Sequence, residues 1–186
     1  WDGEGNVCSF IHSNAFAFGS GVTVPETGVL LNNRAGRSFA LQPGHPNALE
    51  PGKRPMHTLN CYMVLKDGEP FITGGTPGGD GQPQWNMQML SLMLDRGMGP
   101  QAASDFPRWT SSPGTDVIGL GAPFIVRMES RFPEGTAKAL REKGHTVQMV
   151  GAWAGGGGAQ IIMKDPLTGV LLGGSDRRLT GVALGY

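Results

Sequence analysis

Short apolar runs separated by turn residues recur along this chain, and they predict strands that pair with their sequence neighbours. The clearest pair is His57 to Leu65 with Pro70 to Thr73, joined by the turn Lys66-Asp67-Gly68-Glu69. An Asp-Gly turn between two apolar runs is a strong signal for a β-hairpin. A second hairpin is predicted from Ala159 to Lys164 and from Val170 to Leu172.

Other segments predict further strands and the helices that lie between the hairpins. Strands are expected at Asn6 to Asn14, Phe124 to Met128 and His145 to Val150. A short helix is expected at Gln101 to Asp105, and a longer one at Glu134 to Lys143. Helices that alternate with hairpins indicate an α+β fold, a mixed and largely antiparallel sandwich. The length of 186 residues fits one domain, 1–186.

The longest helix is predicted from about Pro83 to Arg96. Four of its residues recur at helical spacing and are expected to form one buried face: Met87, Leu90, Met93 and Leu94. On this interpretation the methionines are core residues and not part of a ligand site.

Glycine is unusually frequent, with 31 residues, and 14 prolines accompany it. Because the glycines alternate with clear apolar runs, the composition indicates a globular domain with many tight turns. The longest stretch rich in Pro, Gly, His and Asn extends from Ala35 to Pro55. It is expected to be a long ordered loop, and loops of this length in a compact domain are usually functional.

Charge and cysteine content exclude several classes of function. Fifteen basic and fifteen acidic residues cancel, so no net field favours a nucleic acid or an anionic membrane as partner. No apolar run reaches the length of a membrane span. Cys8 and Cys61 fall in predicted strands and are expected to be buried free thiols. No residue spacing predicts a metal site and no motif calls for a cofactor; the location, cytoplasmic, periplasmic or secreted, stays open.

One segment combines several features of a reactive site. The turn Thr76-Pro77-Gly78-Gly79-Asp80-Gly81 follows a predicted strand and precedes the longest helix. Backbone N–H groups at such a helix N-terminus favour a negative charge, either a phosphate or the oxyanion of an acyl-transfer intermediate. The phosphate-binding P-loop pattern needs a Lys and then a Ser or Thr, and neither follows Gly81. A purely structural turn is the alternative.

The segment Thr73-Gly74-Gly75-Thr76-Pro77-Gly78-Gly79 resembles the T-G-x-P-G-G segment of gamma-glutamyltranspeptidases. Further segments similar to that family occur before and after it, in the family's order: Phe18-Gly19-Ser20-Gly21, Gly28-Val29-Leu30-Leu31-Asn32-Asn33, Pro51-Gly52-Lys53-Arg54-Pro55, Val64-Leu65-Lys66-Asp67-Gly68, Ala102-Ala103 with Pro107-Arg108, Gly174-Ser175-Asp176-Arg177 and Gly185-Tyr186. The resemblance therefore spans the whole chain, and Tyr186 matches the C-terminus of the family.

The resemblance implies the small-subunit half of a four-layer αββα sandwich of the N-terminal-nucleophile hydrolases. It implies autocleavage of a precursor, a large subunit as partner, and attack on an amide by the N-terminal Thr of the small subunit, with its α-amine as general base. Gly78 and Gly79 correspond to the family's oxyanion-hole donors. The nucleophile of the family belongs about six residues before Trp1, outside this sequence. Ser13 stands where the family has a Thr that supports the nucleophile, although a merely structural serine is the alternative.

The substrate-binding segments depart from those of transpeptidases. Where the family follows Asn33 with a neutral or acidic residue and then an Asp that grip the glutamyl amino group, this chain has Arg34 and Arg37. His57 and Thr58 replace a Ser-Ser pair. Two guanidinium groups repel an ammonium and hold a carboxylate. A surface or subunit-contact role for both arginines is the alternative.

The pattern of these replacements is similar to the oxamate amidohydrolase and acylase-like branch of the family. We therefore expect an amidohydrolase whose small amide substrate carries a carboxylate near the scissile bond. Two alternatives stay open. One is an authentic gamma-glutamyltransferase or glutathione hydrolase, and the other is a catalytically inactive homologue that acts as a binding or scaffold protein.

Overall fold

The computed structural model describes residues 1–114 and 121–185, and within them the chain forms seven strands and four helices. The strands are β1 (Tyr62–Lys66), β2 (Glu69–Gly75), β3 (Trp109–Ser112), β4 (Ile125–Glu129), β5 (Val147–Val150), β6 (Gln160–Lys164) and β7 (Leu171–Ser175). The helices are α1 (Arg34–Ser38), α2 (Gly81–Leu94), α3 (Pro100–Asp105) and α4 (Glu134–Glu142). The expected α+β class is confirmed, while Tyr186 lies outside the described residues.

The first sheet has the strand order β1-β2-β6-β7, and each neighbouring pair is antiparallel. The hairpin of β1 and β2 closes as predicted at Lys66 and Glu69, which are cross-strand partners. Between them, Asp67 and Gly68 have positive φ values of 54° and 85°. Two successive positive φ values match the twist of paired strands and are typical of a type I′ turn. Both predicted hairpins are present, although β1 is shorter than predicted.

The second sheet has the order β3-β4-β5 and combines two kinds of pairing. β3 and β4 are antiparallel, whereas β4 and β5 are parallel and are connected through α4. A parallel pair needs such a crossover, because the chain must return to the starting edge before the next strand begins. β3 is missing from the predicted elements because its four residues are all half-buried and show no alternation of apolar and polar side chains.

Helix α2 packs against the first sheet with a different face from the predicted one. Met87 and Leu94 are about half exposed, at 51% and 50%, so the prediction is wrong at these two positions. The large apolar side chains in the core are spaced four apart: Trp85, Met89 and Met93. Gln82 and Asn86 are also buried, and these polar residues hide the buried face from a pattern of apolar spacing.

The N-terminal segment lacks the predicted strand. Residues 6–14 are assigned to no strand, because no described segment pairs with them through a ladder. Cys8 lies in this segment and Cys61 lies just before β1, and both are exposed, so the prediction of buried thiols is wrong. The predicted loop from 35 to 55 is irregular apart from α1 and a bridge between Ala40 and Ala48. Among the described residues, no helix has both the length and the apolar character needed to cross a bilayer.

Candidate active site

The glycine-rich turn between β2 and α2 contains two backbone donors for which the described part of the chain supplies no acceptor. Gly78 and Gly79 have φ values of 136° and 57°, which L-residues rarely adopt. Their carbonyl oxygens accept hydrogen bonds from the N–H groups of Gly81 (3.1 Å) and Gln82 (3.2 Å), which starts the helix. Within residues 1–114 and 121–185, the N–H groups of Gly78 and Gly79 donate no hydrogen bond. Unused N–H groups at a helix N-terminus suit an anionic oxygen.

Ser13, Arg34 and Thr58 are brought together by the fold although they are distant in sequence. Arg34 Nη1 donates to Thr58 Oγ1 at 3.1 Å, and Arg34 Nη2 donates to Ser13 Oγ at 3.3 Å. The same Ser13 oxygen accepts a hydrogen bond from the N–H of Ala15 at 3.0 Å. Because Ser13 is the acceptor in both of its bonds, its hydroxyl proton can be donated to a further group.

Arg34 is a buried cation that has no carboxylate partner among the described residues. Its exposed fraction is 9%, and burial together with the positive charge of Arg37 lowers its pKa. The other buried arginines differ, since Arg108 and Arg178 each form an ion pair with Asp176. A buried charge without a counter-ion is costly. The site is therefore suited to receive an anion from outside the described part of the chain.

Arg37 lies directly against the glycine turn. A Cβ atom built at Gly79 lies 2.8 Å from Arg37 Nη2, and the guanidinium carbon is 5.7 Å from the ring centroid of Phe16. Asn33 holds the neighbouring segments together, since its Oδ1 accepts from Phe16 N at 3.0 Å and its N–H donates to Asn14 O at 3.1 Å. Asn33 thus organises the backbone beside the two arginines.

A small cavity of about 180 Å³ opens beside the turn. His57 and Thr58 line it together with Gly79, so a predicted binding pair and a predicted oxyanion donor share one space. Asn60 also lines the cavity. Two buried polar side chains of α2 hold Asn60 through hydrogen bonds, namely Gln82 and Asn86. The predicted site residues therefore come from four chain segments that meet at the start of α2.

A larger groove, of about 1240 Å³, runs between the N-terminal segment and the first sheet. Its lining includes residues 1–3, 74–77 and 182–185. Ser9 Oγ donates to Gly74 O at 2.8 Å, which fixes the N-terminal segment over the end of β2. The groove therefore extends along the sheet as far as Pro77, the residue before the glycine turn.

The chain enters this groove through a closed turn. The N–H of Asp2 donates to Asn6 O at 3.0 Å, and the N–H of Gly5 donates to Asp2 O at 3.2 Å. The φ value of Gly5 is 88°. A tight turn followed by a glycine in the left-handed region is typical of a three-residue hairpin loop. Asp2 also accepts hydrogen bonds on its side chain from Glu4 and Asn6, which closes the loop further.

The sequence did not predict a group of residues that lies behind the glycine turn. Trp85 packs under the turn, and a charged cluster supports it: Arg108, Glu129, Arg131, Asp176 and Arg178. Arg108 and Asp176 fall in segments that resemble the family, but their sequence neighbourhoods give no reason to expect burial. Among the described residues, no group of three or more His, Cys, Asp and Glu side chains is arranged to hold a metal ion.

Two sheets with helices between their hairpins make this an α+β protein, and comparison with known families gives a narrower class. The family model described as Gamma-glutamyltranspeptidase matches residues 1–186, and the chain belongs to this family. It is 44% identical over 186 residues to the glutathione hydrolase-like YwrD proenzyme of Bacillus subtilis, covering 99% of the chain and 34% of that protein. It is 37% identical over 191 residues to the oxamate amidohydrolase proenzyme of Klebsiella pneumoniae, covering 100% and 34%.

The fold is also similar to a solved gamma-glutamyltranspeptidase from Pseudomonas nitroreducens complexed with L-DON. The TM-score is 0.82 at 27% identity, covering 100% of this chain and 96% of that chain. The expected N-terminal-nucleophile hydrolase fold is thereby confirmed. The chain spans about a third of the length of the curated relatives, yet almost all of one polypeptide in this solved structure.

Proposed function

We propose that this chain is the small subunit of an autoprocessed amidohydrolase that cleaves a small amide with a carboxylate near the scissile bond. The proposed nucleophile is a threonine that precedes Trp1 in the longer precursor. Two facts support the subunit assignment: the relatives are proenzymes about three times as long, and a solved relative has a separate polypeptide of nearly this length.

The geometry of the turn at residues 2–6 supports a position for the proposed nucleophile opposite Ser13. Because Asp2 lies opposite Asn6, the chain before Trp1 continues the hairpin as a strand antiparallel to residues 7–14. In that register, a residue about six positions before Trp1 lies opposite Ser13. The proposed threonine thus reaches the hydroxyl proton of Ser13, and its strand occupies the groove along the first sheet.

In this proposal the threonine carries out the acyl transfer, and the glycine-rich turn stabilises the oxyanion. The threonine Oγ attacks the amide carbonyl carbon while the α-amine of the same residue removes the Oγ proton. The N–H groups of Gly78 and Gly79 donate to the oxyanion that forms on the carbonyl oxygen. The amine group passes the proton to the leaving nitrogen, the C–N bond breaks, and water later hydrolyses the ester left on the threonine.

The proposed substrate class rests on one observation: Arg34, beside Arg37, is buried and has no carboxylate partner among the residues that the structure describes. Arg34 has used two of its five N–H donors on Ser13 and Thr58. A substrate carboxylate that approaches the turn supplies the missing counter-ion, while an ammonium group is repelled. The name of the relative that acts on oxamate agrees with this class, because oxamate is a small amide with a carboxylate next to its carbonyl group.

A matched pair of chromogenic amides tests the proposal on the full-length, processed protein. Glutaryl-p-nitroanilide and gamma-glutamyl-p-nitroanilide differ only in the α-amino group. We expect kcat/KM to be at least about tenfold higher for the glutaryl compound, the equivalent of about 1.4 kcal/mol. A preference for the gamma-glutamyl compound would instead support the alternative of a glutathione hydrolase, which the name of the YwrD relative favours.

Variants connect this preference to the arginines. We expect Arg34→Met and Arg37→Met each to raise KM for glutaryl-p-nitroanilide about tenfold, since each removes one charge from the carboxylate site. Pentanoyl-p-nitroanilide, which has a methyl group in place of the carboxylate, is the matched control and should respond less than twofold. Equal losses on both compounds would mean that the arginines have only a structural role.

The N-terminal sequence of the mature small subunit distinguishes the proposed amidohydrolase from an inactive scaffold. A threonine at that terminus, together with turnover of either anilide, rejects the scaffold. A terminus without threonine, serine or cysteine removes the proposed nucleophile and with it the amidohydrolase.

A further inference from the structure

Four glycines lie against the ring of Trp85: Gly78 in the turn before α2, Gly81 as the first residue of α2, and Gly156 and Gly157 in a second loop. The distances from a Cβ atom built at each glycine to the nearest ring carbon are 2.0 Å at Gly78, 2.4 Å at Gly81, 2.6 Å at Gly156 and 2.7 Å at Gly157. Trp85 itself is only 6% exposed. No side chain at any of these four positions fits beside the ring. The backbone of the glycine-rich turn at residues 76–81, here called the site turn, and the backbone of the 155–158 loop therefore both pack on one indole group.

The indole group is fixed by contacts outside both loops. Trp85 Nε1 donates to Thr110 Oγ1 at 2.7 Å, and that hydroxyl donates to Gly155 O at 3.2 Å. The guanidinium carbon of Arg108 lies 5.9 Å from the ring centroid, and Arg108 Nη1 donates to Gly156 O at 2.7 Å. These bonds orient the ring and hold the glycine loop against it at two points.

The loop and the turn also meet directly. The N–H of Gly158 donates to Thr76 Oγ1 at 2.8 Å, one residue before Pro77. The indole ring is thus enclosed by the turn, the loop and the charged cluster around Arg108. Glycine-rich backbone has the largest conformational freedom of any chain, so something rigid must restrict it if the turn is to keep one conformation.

We propose that Trp85 is a positioning residue for the site turn: it holds the backbone of Gly78, and through Gly78 that of the adjoining Gly79, so that the two N–H groups converge on one oxygen. This inference rests on the proposed acyl-transfer function for the role of those N–H groups. Donors that are held in place before the reaction stabilise a developing oxyanion without reorganisation. Trp85 touches neither substrate nor nucleophile in this proposal, and acts only through the glycines that it supports.

Three variants of the full-length protein test this role. Trp85→Leu removes the ring, Trp85→Phe keeps a six-membered ring but removes the Nε1–H donor, and Thr110→Val removes the acceptor with little change of shape. Met93→Ala is the matched control, because Met93 is buried at 5% on the same face of α2 but is not among the nearest neighbours of any of the four glycines.

The first measurement is amide hydrogen exchange, which needs no activity. The amides of Gly81 and Gln82 are bonded to Gly78 O and Gly79 O, and that of Gly158 is bonded to Thr76. We expect exchange at these amides to rise at least about tenfold in Trp85→Leu beyond any rise in Met93→Ala, with a smaller rise in Trp85→Phe and Thr110→Val. Exchange in Trp85→Leu that matches the control overturns the positioning role.

The second measurement is the division of the effect between kcat and KM. Oxyanion stabilisation acts in the transition state, so kcat in Trp85→Phe and Thr110→Val should fall about tenfold while KM changes less than twofold. A change in KM alone, or the same loss in Met93→Ala, contradicts the inference. If the unmodified protein cleaves no amide, the proposed function fails by itself, and the exchange measurement still decides whether Trp85 fixes the turn.

Discussion

At Gly78, backbone conformation and packing together restrict which residue the chain can accept. Its φ value of 136° lies in a region that L-residues rarely adopt. The ring of Trp85 also occupies the space of a side chain at this position. A substitution here must therefore move the turn, the helix start or the indole ring.

We predict that Gly78→Ala lowers kcat of the full-length enzyme by a factor of about 10² to 10³, the effect of losing one oxyanion donor. Gly169→Ala is the matched control, because Gly169 has a positive φ of 76° but open space around it, in a hairpin turn away from the site. Steady-state kinetics with glutaryl-p-nitroanilide measures both variants. Comparable losses in the two would mean that backbone strain alone, and not the position of the turn, decides the rate.

Glu129 is a fully buried carboxylate whose charge is compensated by its neighbours. It accepts hydrogen bonds from the N–H groups of Arg108 and Gly155 and from the guanidinium groups of Arg131 and Arg178. Burial alone raises its pKa, but the hydrogen bonds and charge of Arg178 outweigh burial, and the pKa lies below its ordinary value.

This shift predicts a loss of stability in acid. A carboxylate with a lowered pKa in the folded protein contributes stability that is complete above the unfolded-state pKa, about 4.3, and is lost as the pH falls through the folded-state pKa. We expect the urea midpoint of the protein to fall more steeply from pH 4 to pH 2 than that of Glu129→Gln. Equal slopes for the two proteins would show that Glu129 does not titrate in this range.

At the scale of elements, helix α2 joins the core to the site. Its apolar face, with Trp85, Met89 and Met93, packs on the first sheet. Its buried amides, Gln82 and Asn86, hold Asn60 at the edge of the small cavity. The apolar face of α2 therefore stabilises the core, while its first turns orient Asn60 beside the small cavity.

The difference between the predicted and observed faces of α2 has a measurable consequence. Met93→Ala should lower the free energy of unfolding by about 2–5 kcal/mol, because it leaves a cavity in the core. Met87→Ala, the same substitution at a half-exposed position, should cost only about 0.5 kcal/mol. Urea denaturation measures both. Similar losses in the free energy of unfolding for the two variants would mean that Met87 is buried too, as the apolar spacing predicts.

At the scale of the molecule, buried ion pairs connect the two sheets. Glu129 ends β4 in the second sheet, and Asp176 directly follows β7 in the first. Arg178 bonds to both, with Nε 2.7 Å from Glu129 Oε1 and Nη1 3.0 Å from Asp176 Oδ1. Removal of one partner leaves a buried charge uncompensated, which is more costly than the pair itself is stabilising. The cluster thereby fixes the relative position of the sheets behind the site.

Apolar side chains are exposed along the larger groove beside the first sheet, among them Phe10 at 81% and Leu184 at 84%. We predict that the 186-residue chain expressed alone binds the dye ANS, whereas the processed full-length protein binds little, because the proposed upstream strand fills the groove. Phe10→Ser should reduce the dye signal of the isolated chain, and Leu167→Ser, at an exposed hairpin turn, is the control. Equal dye binding by the isolated chain and the full-length protein contradicts a filled groove.

The sequence by itself determined the features that depend on local chemistry. The Asp67-Gly68 turn required a hairpin, since two positive φ values are accessible to those residues, and the register at Lys66 and Glu69 followed from it. The glycine run after β2 marked the site turn, and the ordered segments along the chain marked the family. Ser13, Arg34 and Thr58 were predicted individually, because the resemblance to the family assigns a role to each of their positions.

Tertiary structure decided what depends on contacts between distant residues. It determined which face of α2 is buried, because Gln82 and Asn86 find partners only across the fold. Arg34 is buried with no carboxylate partner among the described residues, and Trp85 is enclosed by two glycine-rich segments. Neither feature has a local signature, since each results from segments far apart in the chain. Residues 6–14 show the converse: a sequence with strand character forms no strand, because none of the described residues pairs with it in a ladder of hydrogen bonds.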